Sequence, residues 1–233
     1  MSQRSILLTI EAEPYGFDLQ LGQCALLIID MQRDFLEPGG FGEMLGNDLS
    51  QLQRTIAPNK ALLAAWRAAG LMVLHTREGH RPDLADLPPA KKVRGRGAKT
   101  IGDLGPMGRI LVRGEEGHDI IPDLYPKAGE PVIDKPGKGA FWATDLHAIL
   151  QHAGIRQLVV TGVTTEVCVN TTVREANDRG YDCLIPADCV GSYFPEFHEM
   201  GLKMIKAQGG IFGWVTDSAQ ILSALSKAEP GSE

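Results

Sequence analysis

The run Cys24-Ala-Leu-Leu-Ile-Ile29 is six apolar residues followed at once by Asp30. A strand that is apolar on both faces must be covered on both faces, as strands inside a parallel sheet are. Comparable runs recur at 71–76 (LMVLHT), 131–134 (PVID), 157–162 (QLVVTG), 182–187 (DCLIPA) and 211–215 (IFGWV). Between them lie segments of helical periodicity. Residues 49–69 set Leu52, Ile56, Leu62, Leu63 and Trp66 on one side and stop at Gly70, with Pro58 expected to kink or split the helix. Residues 144–153 start with Thr144 as N-cap and stop at Gly154. Residues 166–179 stop at Gly180, 196–208 stop at Gly209-Gly210, and 217–226 start at the cap Asp217. Strands alternating with helices imply a parallel sheet with helices on both faces. The spacing predicts one three-layer α/β/α domain over 1–233, built on a six-stranded, mostly parallel sheet. The interruption at 77–130, rich in Gly, Pro and charge, is too long for an ordinary connection and is expected to act as a covering loop.

Composition narrows the function classes. The chain has 233 residues, and at roughly 100–200 residues per domain that suits one large domain. A net charge of −6 with no basic block argues against a nucleic-acid or anionic-membrane surface. The longest apolar run falls far short of the ~20 residues that span a bilayer. The first residues carry no cleavable targeting pattern, so a cytoplasmic protein with reduced thiols is expected. Four cysteines are too sparse for a disulfide scaffold.

In parallel sheets, ligands sit beyond the carboxyl ends of the strands. Asp30 emerges there from a dry strand, where a raised pKa would suit a base; its plain alternative is a turn-forming Asp. Lys135 follows the third run in IDKPGKGAF, where a surface lysine is the usual outcome, and Lys138 in the same turn is expected to be solvated. Cys168, in VTGVTTEVCV, falls in the first turn of a helix, which lowers a thiol pKa and offers N–H groups to an oxyanion. Structural cysteines are mostly buried and inert, the role expected of Cys24 and Cys183, while Cys189 could line a pocket. Arg77 and Glu78 follow the second run and could face the site, although a surface salt bridge is the commoner fate. The six histidines are dispersed, with His75 and His118 candidates for the site and His147 and His152 for a helix surface. Without CxxC, HxxxH or HExxH no metal is expected; without GxSxG or GxGxxG neither a serine hydrolase nor a dinucleotide cofactor is supported.

The ordered set Asp30, Lys135, Cys168, carried by IIDMQRDF and VTGVTTEVCV, resembles the isochorismatase-like cysteine hydrolases over nearly the whole chain. That resemblance implies an Asp30–Lys135–Cys168 triad, a cis peptide at Val163–Thr164, and an oxyanion hole made by the N–H groups of Thr164 and Cys168. It also implies no cofactor and a homo-oligomer, commonly a tetramer. The nicotinamidase metal pair is missing, since HTREGHRPDLADLP stands in its place. That segment, with GRILVRGE, DIIPDLYP, REANDRGY and AQGGIFG, most resembles the biuret-hydrolase branch. Gln208 falls where that branch places a substrate-binding Gln, although by itself it reads as a helix cap. Phe35 and Phe141 would be apolar walls or plain core, and Trp142 beside them departs from the branch, as does SYFPEFHEM (192–200), a lid or interface candidate. The expected substrate is a small ureide, biuret or triuret. Alternatives are a ureidoacrylate or N-carbamoylsarcosine type of carbamoyl compound, or a non-catalytic binding protein on the same fold.

Overall fold

The computed structural model of the chain describes residues 6–92 and 99–228. Residues 93–98 of the expected covering loop, and both ends of the expected domain, lie outside them. The strands are β1 (Leu7–Ile10), β2 (Phe17–Gln20), β3 (Cys24–Ile29), β4 (Met72–Glu78), β5 (Leu104–Gly105), β6 (Gly108–Arg109), β7 (Val132–Lys135), β8 (Gln157–Val163), β9 (Asp182–Pro186), β10 (Val190–Gly191) and β11 (Trp214–Thr216). The helices are α1 (Arg33–Leu36), α2 (Phe41–Met44), α3 (Ser50–Gln53), α4 (Ile56–Ala68), α5 (Pro89–Lys92), α6 (Leu146–His152), α7 (Asn170–Asn177), α8 (Pro195–Gly210) and α9 (Ser218–Ala228).

The central sheet runs β11-β9-β8-β3-β4-β7, all parallel, and short β10 adds a parallel extension to β8. The uniform apolarity of β3 follows from its place in the middle. Cys24, Leu26 and Ile28 pack toward Leu62, Trp66 and Ile221 of α4 and α9. Ala25, Leu27 and Ile29 pack toward Leu146, Val169 and Val173 on the other face. This is the three-layer α/β/α architecture. From β3 the chain adds strands on one side (β4, β7), then returns to β8 and adds them on the other (β9, β11). The carboxyl ends of β3 and β8 are therefore the switch point of the sheet, the place where ligands bind in such folds.

Gly162 lets these two strands meet there. Its φ is +102°, and a Cβ would collide with the backbone of Ile29, its partner in register. The described part of the 77–130 excursion is packed rather than loose. It bridges back at His80–Val112 and Gln32–Ile120, and it buries Ile110, Leu111, Val112, Ile120, Ile121 and Leu124. No helix among the described residues is long and apolar enough to cross a membrane.

Some local readings change. The break expected at Pro58 falls instead between α3 and α4, and Pro58 sits in the first turn of α4, where its missing N–H costs nothing. The last strand starts at Trp214 rather than 211, because Gly213 has a backbone only glycine adopts freely. Asp217 stands at the cap position of α9, directly before Ser218, with its carbonyl accepting the Gln220 N–H at 3.1 Å, and Asp188 adds to it by accepting the Ser218 N–H at 2.8 Å. Hairpin β1–β2 was not apparent in the sequence.

Candidate active site

Four side chains from four neighbouring strands converge at the switch point. Asp30, directly after β3, has a positive φ of 51° and is fully buried. Its Oδ1 accepts the Thr76 hydroxyl at 2.6 Å. Lys135 ends β7 and is equally buried. Its Nζ lies 2.7 Å from Asp30 Oδ2 and donates to the carbonyls of Gly137 and Lys138, each at 3.0 Å. Two of its three protons thus go to carbonyls, and the ammonium is ion-paired with Asp30.

Cys168 sits in a wide turn, Thr165–Val169, that runs into α7; the Val169 N–H reaches back to the Thr164 carbonyl at 3.2 Å. The turn follows β8 through a cis Val163–Thr164 peptide, as the resemblance implied. The neighbouring Thr165 is held by His198, whose Nδ1 is 2.9 Å from its hydroxyl, and by Asn170, which donates to its carbonyl at 2.7 Å.

The fourth side chain is Glu78, the last residue of β4 and the register partner of Lys135. Strand alternation separates it from Arg77, which turns the other way onto Asp134 (2.8 Å) and Asp119 (3.3 Å). The surface salt bridge expected for the pair therefore holds for Arg77 alone. Glu78 is fully buried, with Oε1 accepting Lys138 Nζ at 2.7 Å and Oε2 accepting the Cys168 thiol at 3.6 Å. Lys138 is exposed, as expected, while its ammonium reaches in to Glu78. Lys91, on α5, donates to the Pro136 carbonyl at 2.6 Å and reaches to 3.9 Å of the same Glu78 oxygen. Gln32 fixes Glu78 from behind. It accepts the Glu78 N–H (2.7 Å) and donates to the Glu78 and His118 carbonyls (2.9 Å each).

The electrostatics separate the two carboxyls. Burial pushes Asp30 above the usual carboxylate range despite Lys135, and the charge of Glu78 adds to the rise. Burial would also raise Glu78, but Lys135, Lys138 and Lys91 hold it below its ordinary value. Burial pushes the Cys168 thiol well up, with Lys135 opposing and Asp30 and Glu78 adding. This corrects the expectation of a thiol lowered by a helix terminus. At rest Cys168 is held as a thiol. Lys135 remains an ammonium, because Asp30, Cys168 and Glu78 outweigh its burial.

The atoms of Asp30, Glu78 and Cys168 that could ligate a metal lie within 4.8 Å of one another. Lys135, Lys138 and Lys91 already neutralise both carboxylates, so a divalent cation would face three ammonium groups. The donor set does not fit a metal.

The other expected site residues take varied places. Phe141 is buried, stacked on Tyr181 and covered by Arg179, so its ring serves packing. Phe35 is half-buried against the α4-side core. Trp142 is 53% exposed and lies over Gly137. Gln208 is exposed at the far end of α8, which leads into the start of β11, the edge opposite to Asp30. Its φ of 52° marks the end of the helix proper, which suits the cap reading. Cys189, like Cys24 and Cys183, is buried in core and does not line the site. His118 packs on Gly79 beside Glu78, whereas His75 pairs with Glu130 at 3.1 Å, below the site. His147 and His152 are exposed on α6.

Comparison with known proteins agrees with this geometry. The isochorismatase domain family matches residues 24–220. The ureidoacrylate amidohydrolase RutB of Serratia proteamaculans (strain 568) is 29% identical over 229 residues, 96% of this chain and 91% of that one. A cysteine hydrolase from Pseudomonas syringae pv. phaseolicola 1448A superposes with a TM-score of 0.77 at 24% identity, covering 98% of this chain and 100% of that one. The N-carbamoylsarcosine amidase of Thermoplasma acidophilum gives 0.64 at 24% identity, over 84% and 96%. With a domain match that runs from the first core strand to the last helix, and a thiol beside a buried Asp–Lys pair, the chain belongs to the isochorismatase family as one of its cysteine hydrolases.

Proposed function

We propose that this hydrolase of amide C–N bonds acts on a small ureide, biuret or triuret, and releases ammonia through a thioester on Cys168. The observation that carries the reading is the meeting of a thiol, a carboxyl of raised pKa and a buried ammonium at one switch point. Asp30 takes the Cys168 proton as Sγ bonds to the carbonyl carbon. The carbonyl electrons move onto oxygen, which the N–H groups of Thr164 and Cys168 receive. As the C–N bond breaks, Asp30 returns the proton to nitrogen, so that ammonia leaves. Water then gives a proton to Asp30 and its oxygen to the thioester carbon. The thiolate departs and recovers that proton. The sum is one ureide and one water giving one carboxylated product and one ammonia. Lys135 keeps its charge throughout and stabilises the ionised partners.

The two relatives named for ureidoacrylate and N-carbamoylsarcosine favour a second reading, hydrolysis of another carbamoyl compound of that type. Ammonia release from biuret, triuret, ureidoacrylate and N-carbamoylsarcosine, compared by kcat/KM, decides between them. A preference of at least tenfold for biuret or triuret is expected, and preference for either of the other two overturns the narrower proposal. The tetramer implied by the resemblance would cover the exposed Phe197, Met200 and Met204 of α8; light scattering on the purified chain measures it.

A further inference from the structure

Glu78 takes no part in the covalent steps above, yet it is a fully buried carboxylate at the nucleophile. Its two oxygens are used unequally. Oε1 meets the ammonium groups of Lys138 and Lys91. Among the described residues, the polar contact of Oε2 is the Cys168 thiol at 3.6 Å. A thiol is a weak donor, and a carboxylate oxygen accepts two bonds. When Cys168 gives its proton to Asp30, Oε2 loses that donor while it stays buried, which is costly unless another donor arrives. Lys135 is turned elsewhere: two of its protons are held by the Gly137 and Lys138 carbonyls, and its ammonium faces Asp30 at 2.7 Å. The donor must enter with the substrate.

We propose that Glu78 determines specificity, its Oε2 accepting an N–H from the side of the substrate carbonyl that remains on the enzyme. Carbonyls with nitrogen on both sides, the ureas and ureides, meet this demand; amides whose retained side is carbon do not. The inference rests on the amidohydrolase reading and adds the group that reads the substrate. The surrounding charges keep the acceptor permanent. Lys135, Lys138 and Lys91 face Glu78 from β7, the turn after it and α5, Asp30 and Cys168 face it from β3 and the β8 turn, and His80 stands behind. Gln32 locks its backbone, so the oxygen is held where it is needed.

Biuret and malonamide form a matched pair, the central NH of one being CH2 in the other. Each is tested for protection of Cys168 against iodoacetamide, followed by mass mapping of the Cys168 peptide, with ammonia release measured in parallel. The wild-type chain should be protected by biuret at about 100-fold lower concentration than by malonamide. Glu78→Gln keeps the size but turns a donor toward the sulfur, and the gap should fall below ~10-fold. Equal protection of the wild type by both compounds, or by neither, overturns the proposal, and that comparison needs no variant to fold. A gap undiminished in folded Glu78→Gln also overturns it. Protection by biuret without ammonia release would keep Glu78 as the reader and remove the amidohydrolase reading. Ammonia release with no gap would do the reverse.

Discussion

Lys135 Nζ lies 2.7 Å from Asp30 Oδ2, and solvent reaches neither side chain. A buried ion pair is weak evidence for net stability, but removing one partner leaves the other charge stranded. Lys135→Met should therefore destabilise the fold by about 3–5 kcal/mol. Adding Asp30→Asn should recover part of that loss. Urea unfolding of Lys135→Met, Asp30→Asn and the double variant measures both effects, and additive losses would show that the pair is not coupled.

Asp30 acts as a base only when ionised, and burial sets its pKa above the ordinary 3.8. The rate kcat/KM should therefore rise with pH through a limb above the usual carboxylate range. Glu78→Gln removes one cause of the rise and should move that limb to lower pH. In stability the sign is opposite. A raised carboxyl binds its proton more tightly when folded, so its contribution is present at low pH and lost as pH climbs from 3.8 through the folded value. A pH–rate profile with its acid limb at or below 3.8 contradicts the assignment.

Glu130 behaves in the reverse sense. Its carboxylate is bound by Arg67 at 2.7 and 2.8 Å, by the Lys127 N–H at 2.8 Å and by His75 at 3.1 Å. These bonds overcome its burial and bring its pKa from 4.5 to about 2. Its contribution is complete above pH 4.5 and lost as pH falls toward 2. Glu130→Gln should cost about 1–2 kcal/mol at pH 7, a value reduced for its partly open edge. The difference from the wild type should shrink on acidification, as acid-range thermal melts would show.

Chelation should leave turnover unchanged, because Lys135, Lys138 and Lys91 already balance Asp30 and Glu78. A large loss on exhaustive treatment with a chelator, restored by zinc, would overturn that electrostatic reading.

The layers, the sheet and the gathering of Asp30, Lys135 and Cys168 at one edge were legible because each follows an apolar run. A strand end in a parallel sheet has one place to deliver its next residue. Glu78 was weighed between the site and a surface salt bridge because Arg77-Glu78 reads like an exposed ion pair, and only strand register separates the two. Lys138 was expected to be solvated and does stay half exposed, but its link to Glu78 was hidden with the acid, and Lys91 gave no signal in the sequence. The thiol was expected to be lowered by a helix end. Local sequence shows the turn but not how deeply the fold buries it, and burial decides the direction. Gln208 was placed by resemblance alone, and the topology carries it to the opposite edge.

The covalent role of Cys168 is tested most directly by Cys168→Ser, a change of one atom in a buried turn. Ammonia release from biuret is followed alongside the melting curve. A serine hydroxyl is far less acidic than a thiol, so Asp30 should no longer generate the nucleophile. Turnover should fall by at least about 1000-fold, or 4 kcal/mol in the barrier, with the melting temperature little changed. Near-normal ammonia release from the folded variant would contradict a thioester on Cys168.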